Sequence, residues 1–271
     1  MTSITELYNN IKTFALQTFE SKEEEDINLP IEVEQLFKYV NGKVSIASDS
    51  IMELKITGNS FSTYSSTPFT YAGKVFVDWG DDTGLIEYTG GQLTHTYSSS
   101  DDYTVKIYGE IISLKLYSFR ECIGLTSIKL PNSITTLENA CFKDCSNLYS
   151  IDLSEDITSI GHYCFEDCSN LTNIDLPNGI ISLGTGCFWG CSNLLSVYIP
   201  DSVTSIGNTF LVACPNLISV KLEWSILNEI VTYNNNWIND SPNYKFSIPN
   251  GTTSLYTAKG YPSNKLLEVG D

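Results

Sequence analysis

The sequence predicts a mainly β protein: a solenoid of 23-residue repeats, preceded by a β-sandwich and an N-terminal amphipathic helix. Three observations predict it. A Phe-x-x-Cys turn recurs at a constant interval at Phe119, Phe142, Phe165 and Phe188, the signature of a stacked-repeat architecture. Alternating apolar and polar residues fill 51–110 in strand-length runs. Apolar residues at helical spacing open the chain. These boundaries divide it into a helix and acidic linker over 1–30, the sandwich over 31–110, the repeats over 111–222 and a C-terminal cap over 223–271.

At the amino terminus, Ser3-Ile4-Thr5-Glu6 fits a capping box. Ile4, Leu7, Tyr8, Ile11, Phe14 and Ala15 then predict a helix from about 4 to 20. Its apolar stripe needs a partner: the next domain, copies of itself in a homo-oligomer, or a larger particle. Glu23-Glu24-Glu25-Asp26 followed by Pro30 reads as a linker. Leu36 to Val40 and Lys43 to Ala47 flank Asn41-Gly42 and predict a hairpin, with a short helix over 31–40 as the competing reading.

The sandwich rests on Met52 to Ile56, Lys74-Val75-Phe76-Val77-Asp78-Trp79 and Tyr103-Thr104-Val105-Lys106-Ile107-Tyr108. Between the last two lie Gly80-Asp81-Asp82-Thr83-Gly84 and Leu93-Thr94-His95-Thr96-Tyr97. This set resembles the polycystic-kidney-disease (PKD) type of immunoglobulin-like domain, with Asp82 where that family's turn usually has glycine. The resemblance implies a spacer or carbohydrate-adjacent module and makes His95 a structural strand residue. Asp78, Asp81 and Asp82 suit a hard cation such as calcium, but aspartate also favours turns for its own hydrogen bonds. Both readings stand.

Each repeat carries a period-2 run such as Leu148, Ile151 and Leu153, then a turn at Ser154, where sister copies have Pro131, Pro177 and Pro200. A second apolar pair follows, Ile134/Leu137, recurring as Ile157/Ile160, Ile180/Leu183 and Val203/Ile206, with an earlier echo at Ile111/Leu114. The Cys-Phe-x-x-Cys turn that closes the unit predicts a helical or 3₁₀ segment, since Cys141 and Cys145 are four apart. A fifth copy ends at Cys214-Pro215-Asn216-Leu217, with Leu211 in the Phe place. A single copy has too little core to fold, so stacking on neighbours is required.

The consensus Cys-Phe-x-x-Cys-Ser-Asn-Leu-x-x-Ile-x-Leu-Pro-x-x-Ile-x-x-Ile resembles the leucine-rich repeat of the BspA type. That family consists mostly of surface or secreted adhesion proteins, with relatives in protists and phage genomes, so the resemblance implies binding without naming a ligand. After the repeats, Phe246-Ser247-Ile248-Pro249-Asn250-Gly251 and Tyr256 resemble the ending seen after such repeats, a strand and a short helix. The expectation is a stack closed at this end, because an open end exposes strand edges.

Composition narrows the function. A formal charge of −17 opposes nucleic acid and an anionic membrane, and no apolar run is long enough for membrane insertion. All eight cysteines fall in two columns of the array, Cys141, Cys164 and Cys187, and Cys122, Cys145, Cys168, Cys191 and Cys214. Buried free thiols are the expectation; a disulfide or a metal site are the alternatives, the latter poorly served by C-x-x-x-C spacing. No phosphate loop, dinucleotide fingerprint or triad is present, and His162 sits at a variable, solvent-facing repeat position. No enzyme and no cofactor are expected. The Met1-Thr2-Ser3 start lacks the pattern of a secretory signal, which suits a virion component that leaves its host by lysis.

What remains is surface. Strand residues pointing away from the core form a column of Lys129, Asp152, Asp175, Tyr198 and Lys221 beside one of Ser127, Ser150, Asn173, Ser196 and Ser219. Such a face is either the recognition surface of a solenoid or solvated decoration. Trp189 breaks the charged pattern of Arg120, Lys143 and Glu166, so it either anchors a partner or folds onto Phe210. The leading expectation is a non-enzymatic recognition or adhesion protein at a virion or cell surface, in receptor binding to a cell-surface glycan or protein. A structural scaffold gripping a protein partner is the alternative, and a carbohydrate-active enzyme the third.

Overall fold

The computed structural model describes residues 37–40, 43–46, 51–224, 236–238 and 243–269. The expected N-terminal helix and acidic linker lie outside the described residues. Strands β1 (Phe37–Val40) and β2 (Lys43–Ile46) pair antiparallel, Phe37 opposite Ile46.

Next come β3 (Ile51–Ser62), β4 (Phe69–Asp78), β5 (Leu85–Tyr88) and the 21-residue β6 (Thr94–Leu114). Met52, Leu54 and Ile56 alternate with more exposed neighbours, so one face of β3 is buried. These strands do not divide into two separately hydrogen-bonded sheets. β6 pairs antiparallel with β3 on one edge, Leu54 opposite Val105, and with β4 on the other, Phe76 opposite Tyr108, while β5 extends from β4. Among the described residues the strands thus follow one hydrogen-bonded path, with Lys106, Ile107 and Tyr108 of β6 paired to β3 and β4 at once.

The same sheet runs into the repeats. The free edge of β3 takes β7 (Leu125–Lys129) antiparallel, with Leu54 opposite Ile128. At its far end β6 pairs in parallel with β8 (Thr136–Leu137) through Leu114 and Leu137. β6 therefore crosses residue 110 without a break, and one apolar cluster spans sheet and solenoid.

Each coil of the solenoid has three sides. The first carries β7, β9 (Ser150–Asp152), β11 (Asn173–Ile174), β13 (Ser196–Ile199) and β15 (Ser219–Leu222). β7 pairs with β9, and β11, β13 and β15 pair in turn, all parallel; among the described residues no backbone pairing joins β9 to β11. The second side stacks β8, β10 (Ser159–Ile160), β12 (Ser182–Leu183) and β14 (Ser205–Ile206) in continuous parallel register.

The third side is the Cys-Phe-x-x-Cys turn; of the helical or 3₁₀ segment expected there, it keeps single 3₁₀-type bonds such as Cys145 N–H to the Phe142 carbonyl but forms no regular helix. Residues at both ends of the turn are left-handed, at Ala140 and Asp144 (φ 51° and 62°), Tyr163 and Asp167, and Gly186 and Gly190. This aims alternate N–H groups along the stack: those of Ala140, Phe142 and Asp144 each donate over 2.8 Å to the carbonyls of His162, Cys164 and Glu166. A helix would have spent those donors within the coil.

Inside, Phe119, Phe142, Phe165 and Phe188 stack 5.4 Å apart with planes within 5° of parallel. All eight cysteines are buried, and none is joined in a disulfide. The thiols of Cys168, Cys191 and Cys214 donate to the carbonyls of Phe142, Phe165 and Phe188 in the coil before, each over 3.1 Å. Cysteine suits this column because it packs as a small apolar residue while its weak S–H donor reaches a buried carbonyl.

Beyond β15 the first side gains two rungs, β16 (Lys245–Pro249) and β17 (Leu266–Val269), both parallel, with helix α1 (Thr253–Ala258) between them. The expected strand and short helix are present, and β17 is an addition. Tyr256 on α1 donates to the Trp224 carbonyl over 2.9 Å, and the Trp224 indole donates to the Asp201 carbonyl over 3.2 Å.

Candidate recognition face

The column of outward residues on the first side is real but divides into two groups. Strand alternation turns Ile128, Ile151, Ile174, Val197 and Val220 inward, so their neighbours face out. Lys129 lies opposite Asp152 in the β7/β9 register with its ammonium 4.0 Å from the carboxylate. Where the ladder lapses between β9 and β11, a cleft of about 390 Å³ opens, lined by Asp152 and Asp175 together with Glu155 and Asn178. Like charges in neighbouring coils oppose close pairing. The carboxylates form no cation cage: among the described residues no three His, Cys, Asp or Glu side chains come together as metal ligands.

Two coils on, the Tyr198 hydroxyl donates to Glu223 over 2.5 Å, Lys221 reaches the same carboxylate at 3.1 Å, and its ammonium lies 5.2 Å from the Tyr198 ring centre. The Tyr198 and Lys221 donors hold the Glu223 carboxyl below its usual range, and partial burial together with Glu223 pushes the Tyr198 phenol up. Glu155 and Glu223 escaped the strand-column reading because both lie just past the strands. A signal for Glu223 exists in the sequence, since it stands at the turn position held by Pro131, Pro177 and Pro200.

Trp189 is not part of this face. It sits on the turn side, 37% exposed, while Phe210 packs edge-on against Phe188 in the core. On the same side, three coils earlier, the Arg120 guanidinium lies 4.9 Å and 5.4 Å from the rings of Tyr64 and Tyr117. His162 is exposed yet engaged, its Nδ1 accepting the Thr185 N–H over 2.8 Å. In the first sheet, the Asp81 carboxylate bonds His95 at 2.6 Å and both the N–H and hydroxyl of Thr83, and Asp78 accepts the Gly80 N–H over 3.0 Å. These aspartates serve their own turn, and Asp82 keeps the left-handed φ of 60° expected of a glycine. The His95 ring stacks on Trp79 at 4.6 Å.

Comparison with known proteins agrees with the repeat. Residues 95–218 match, in six copies, the family model described as the BspA type leucine rich repeat region. The match begins within β6, earlier than the five copies legible by eye. The fold is mainly β, a leucine-rich-repeat solenoid. Among solved structures, a leucine rich repeat protein of T. pallidum is 21% identical over 59% of this chain and 79% of that one, with a TM-score of 0.41. A leucine rich cell surface protein from Faecalibacterium prausnitzii is 30% identical over 46% of this chain and 33% of that one (TM-score 0.43). The pneumococcal vaccine antigen PcpA is 19% identical over 58% and 43% (TM-score 0.42). This chain thus spans about a third of one and under half of the other of the last two. No curated protein matches. Among the described residues no helix is long and apolar enough to cross a membrane.

Proposed function

We propose that this is a non-enzymatic recognition or adhesion protein whose solenoid presents its first side to a cell-surface glycan or protein. The observation that carries the reading is a polar surface along the strand ladder: Lys129 with Asp152, the Asp152/Asp175 cleft, and the Tyr198, Lys221 and Glu223 cluster. The Tyr198, Lys221 and Glu223 side chains are held by one another before any partner arrives, which lowers the ordering cost of binding. The repeat match over 95–218 supports the same class.

In this reading the chain works at a virion or cell surface. Residues 51–110 act as a PKD-like module at the base of the solenoid, and the segment 1–30 associates copies into a homo-oligomer. Binding of the full chain to intact cells or a glycan array is the test. Tyr198→Ala or Lys221→Ala is expected to weaken it about tenfold, by losing one or two charge-assisted contacts. Binding that both variants leave unchanged would remove this face from the function. Capture of an assembly partner in place of cells would make the chain a scaffold.

A further inference from the structure

A second surface, on the β8-β10-β12-β14 side, carries a groove of about 470 Å³ running across the strands and so along the solenoid axis. Its floor is backbone. A Cβ on Gly161, Gly184 or Gly207 would lie 2.7, 2.4 or 2.3 Å from atoms of the preceding coil, so only glycine fits there.

The walls carry the information. On one stand Ser159, Ser182 and Ser205, in register at one per coil. Their hydroxyls have no hydrogen-bond partner among the described residues, whereas Ser169 and Ser192 spend theirs on carbonyls of the coil before. On the other stand Asn139 and His162. The Asn139 amide oxygen accepts the His162 N–H over 2.7 Å and His162 Nδ1 accepts the Thr185 N–H over 2.8 Å. That leaves the Asn139 NH₂ and the His162 Nε2–H as donors. No lysine or arginine lines the groove, and Glu138 already accepts the Leu116 N–H over 2.9 Å.

We propose that this groove binds a neutral oligosaccharide lying along the solenoid axis, about one sugar to a coil. Free hydroxyls on one wall and amide and ring donors on the other match a ligand that is itself hydroxyl-rich. The groove repeats with the coil, and an extended glycan repeats with the sugar, at nearly the same step. A polyanion finds no cation here and meets a chain of charge −17. An extended peptide would need a free strand edge, but parallel pairing has used the backbone groups of β10 and β12. The proposal rests on the recognition reading above and deepens it by naming a ligand class and adding a second side of the coil to the first.

Titration calorimetry of the full chain with linear β-glucan and α-mannan oligosaccharides, and with polygalacturonate as the anionic control, is the test. Binding of a neutral series is expected, about tenfold weaker in the Ser159→Ala/Ser182→Ala double variant and abolished in Ser182→Tyr. No binding of any neutral glycan, a preference for polygalacturonate, or indifference to both serine variants would overturn it. Attachment to cells that is lost in Tyr198→Ala and kept in Ser182→Tyr would overturn the groove while leaving the recognition reading standing.

Discussion

The thiol columns show how one side chain meets two demands in this stack. Burial pushes Cys122 and Cys214 up to about 12 and lifts Cys141, Cys145, Cys168, Cys187 and Cys191 well above the usual thiol range. The folded protein therefore keeps these cysteines protonated where an unfolded chain would ionise them. Their contribution is complete below the unfolded thiol pKa of about 8.5 and declines as pH rises toward the folded values, because the unfolded state then releases more protons. The urea midpoint should fall between pH 8 and pH 10.5, and a flat profile would deny the thiols this burial. In the native state an aromatic disulfide reagent at pH 8 should label none of the eight, and all eight in guanidinium. Phe165→Ala removes a fully buried ring from the middle of the stack and should cost about 3–5 kcal/mol by denaturant titration.

At the level of the coil, close backbone approach sets the rules. Gly184→Ala would place a methyl 2.4 Å from the Gly161 carbonyl carbon and the His162 nitrogen, so the stack must part. A loss of about 1–3 kcal/mol is expected, read as a lower melting temperature; an unchanged one would mean the coils are not this close. The same approach explains what was legible beforehand. Period, strand pairs and buried columns were readable because each repeats a residue type at a fixed place, as Phe142, Phe165 and Phe188 do. The turn was misread because its geometry is set by hydrogen bonds to the next coil, and left-handed Ala140 and Asp144 look ordinary in sequence. Of the candidate face, the strand columns were visible, but the grouping around Glu155 and Glu223 depends on where the ladder lapses and on a turn residue that leans back.

Across the whole molecule, sheet and solenoid share one strand path and one apolar core. β3 pairs with both β6 and β7, and Phe61 lies 6.5 Å from Phe119, at the start of the phenylalanine stack. The sheet over 51–114 was legible as alternating strands but not as the base of the repeats, since the pairing of Leu54 with Ile128 joins residues far apart in sequence. Trp79 reports on the sheet and Trp224 on the last repeats. Thermal unfolding followed through variants keeping one or the other tryptophan should give a single midpoint, and separated transitions would mean the two parts fold independently.

The lapse between β9 and β11 gives this object a mechanical grain. On either side of it the first ladder is laced by backbone bonds, but across it the coils are held by the second side, the turn side and the phenylalanine stack between them. A load drawn along the axis is then carried off-centre at that one level, so the rod flexes toward its two continuous sides and the Asp152/Asp175 mouth widens. Stretched between residues 51 and 269, the chain should yield there first and shed its coils in two unequal steps; one even step would mean the seam bears load like any other. A protein built this way would change the shape of its acidic cleft with tension.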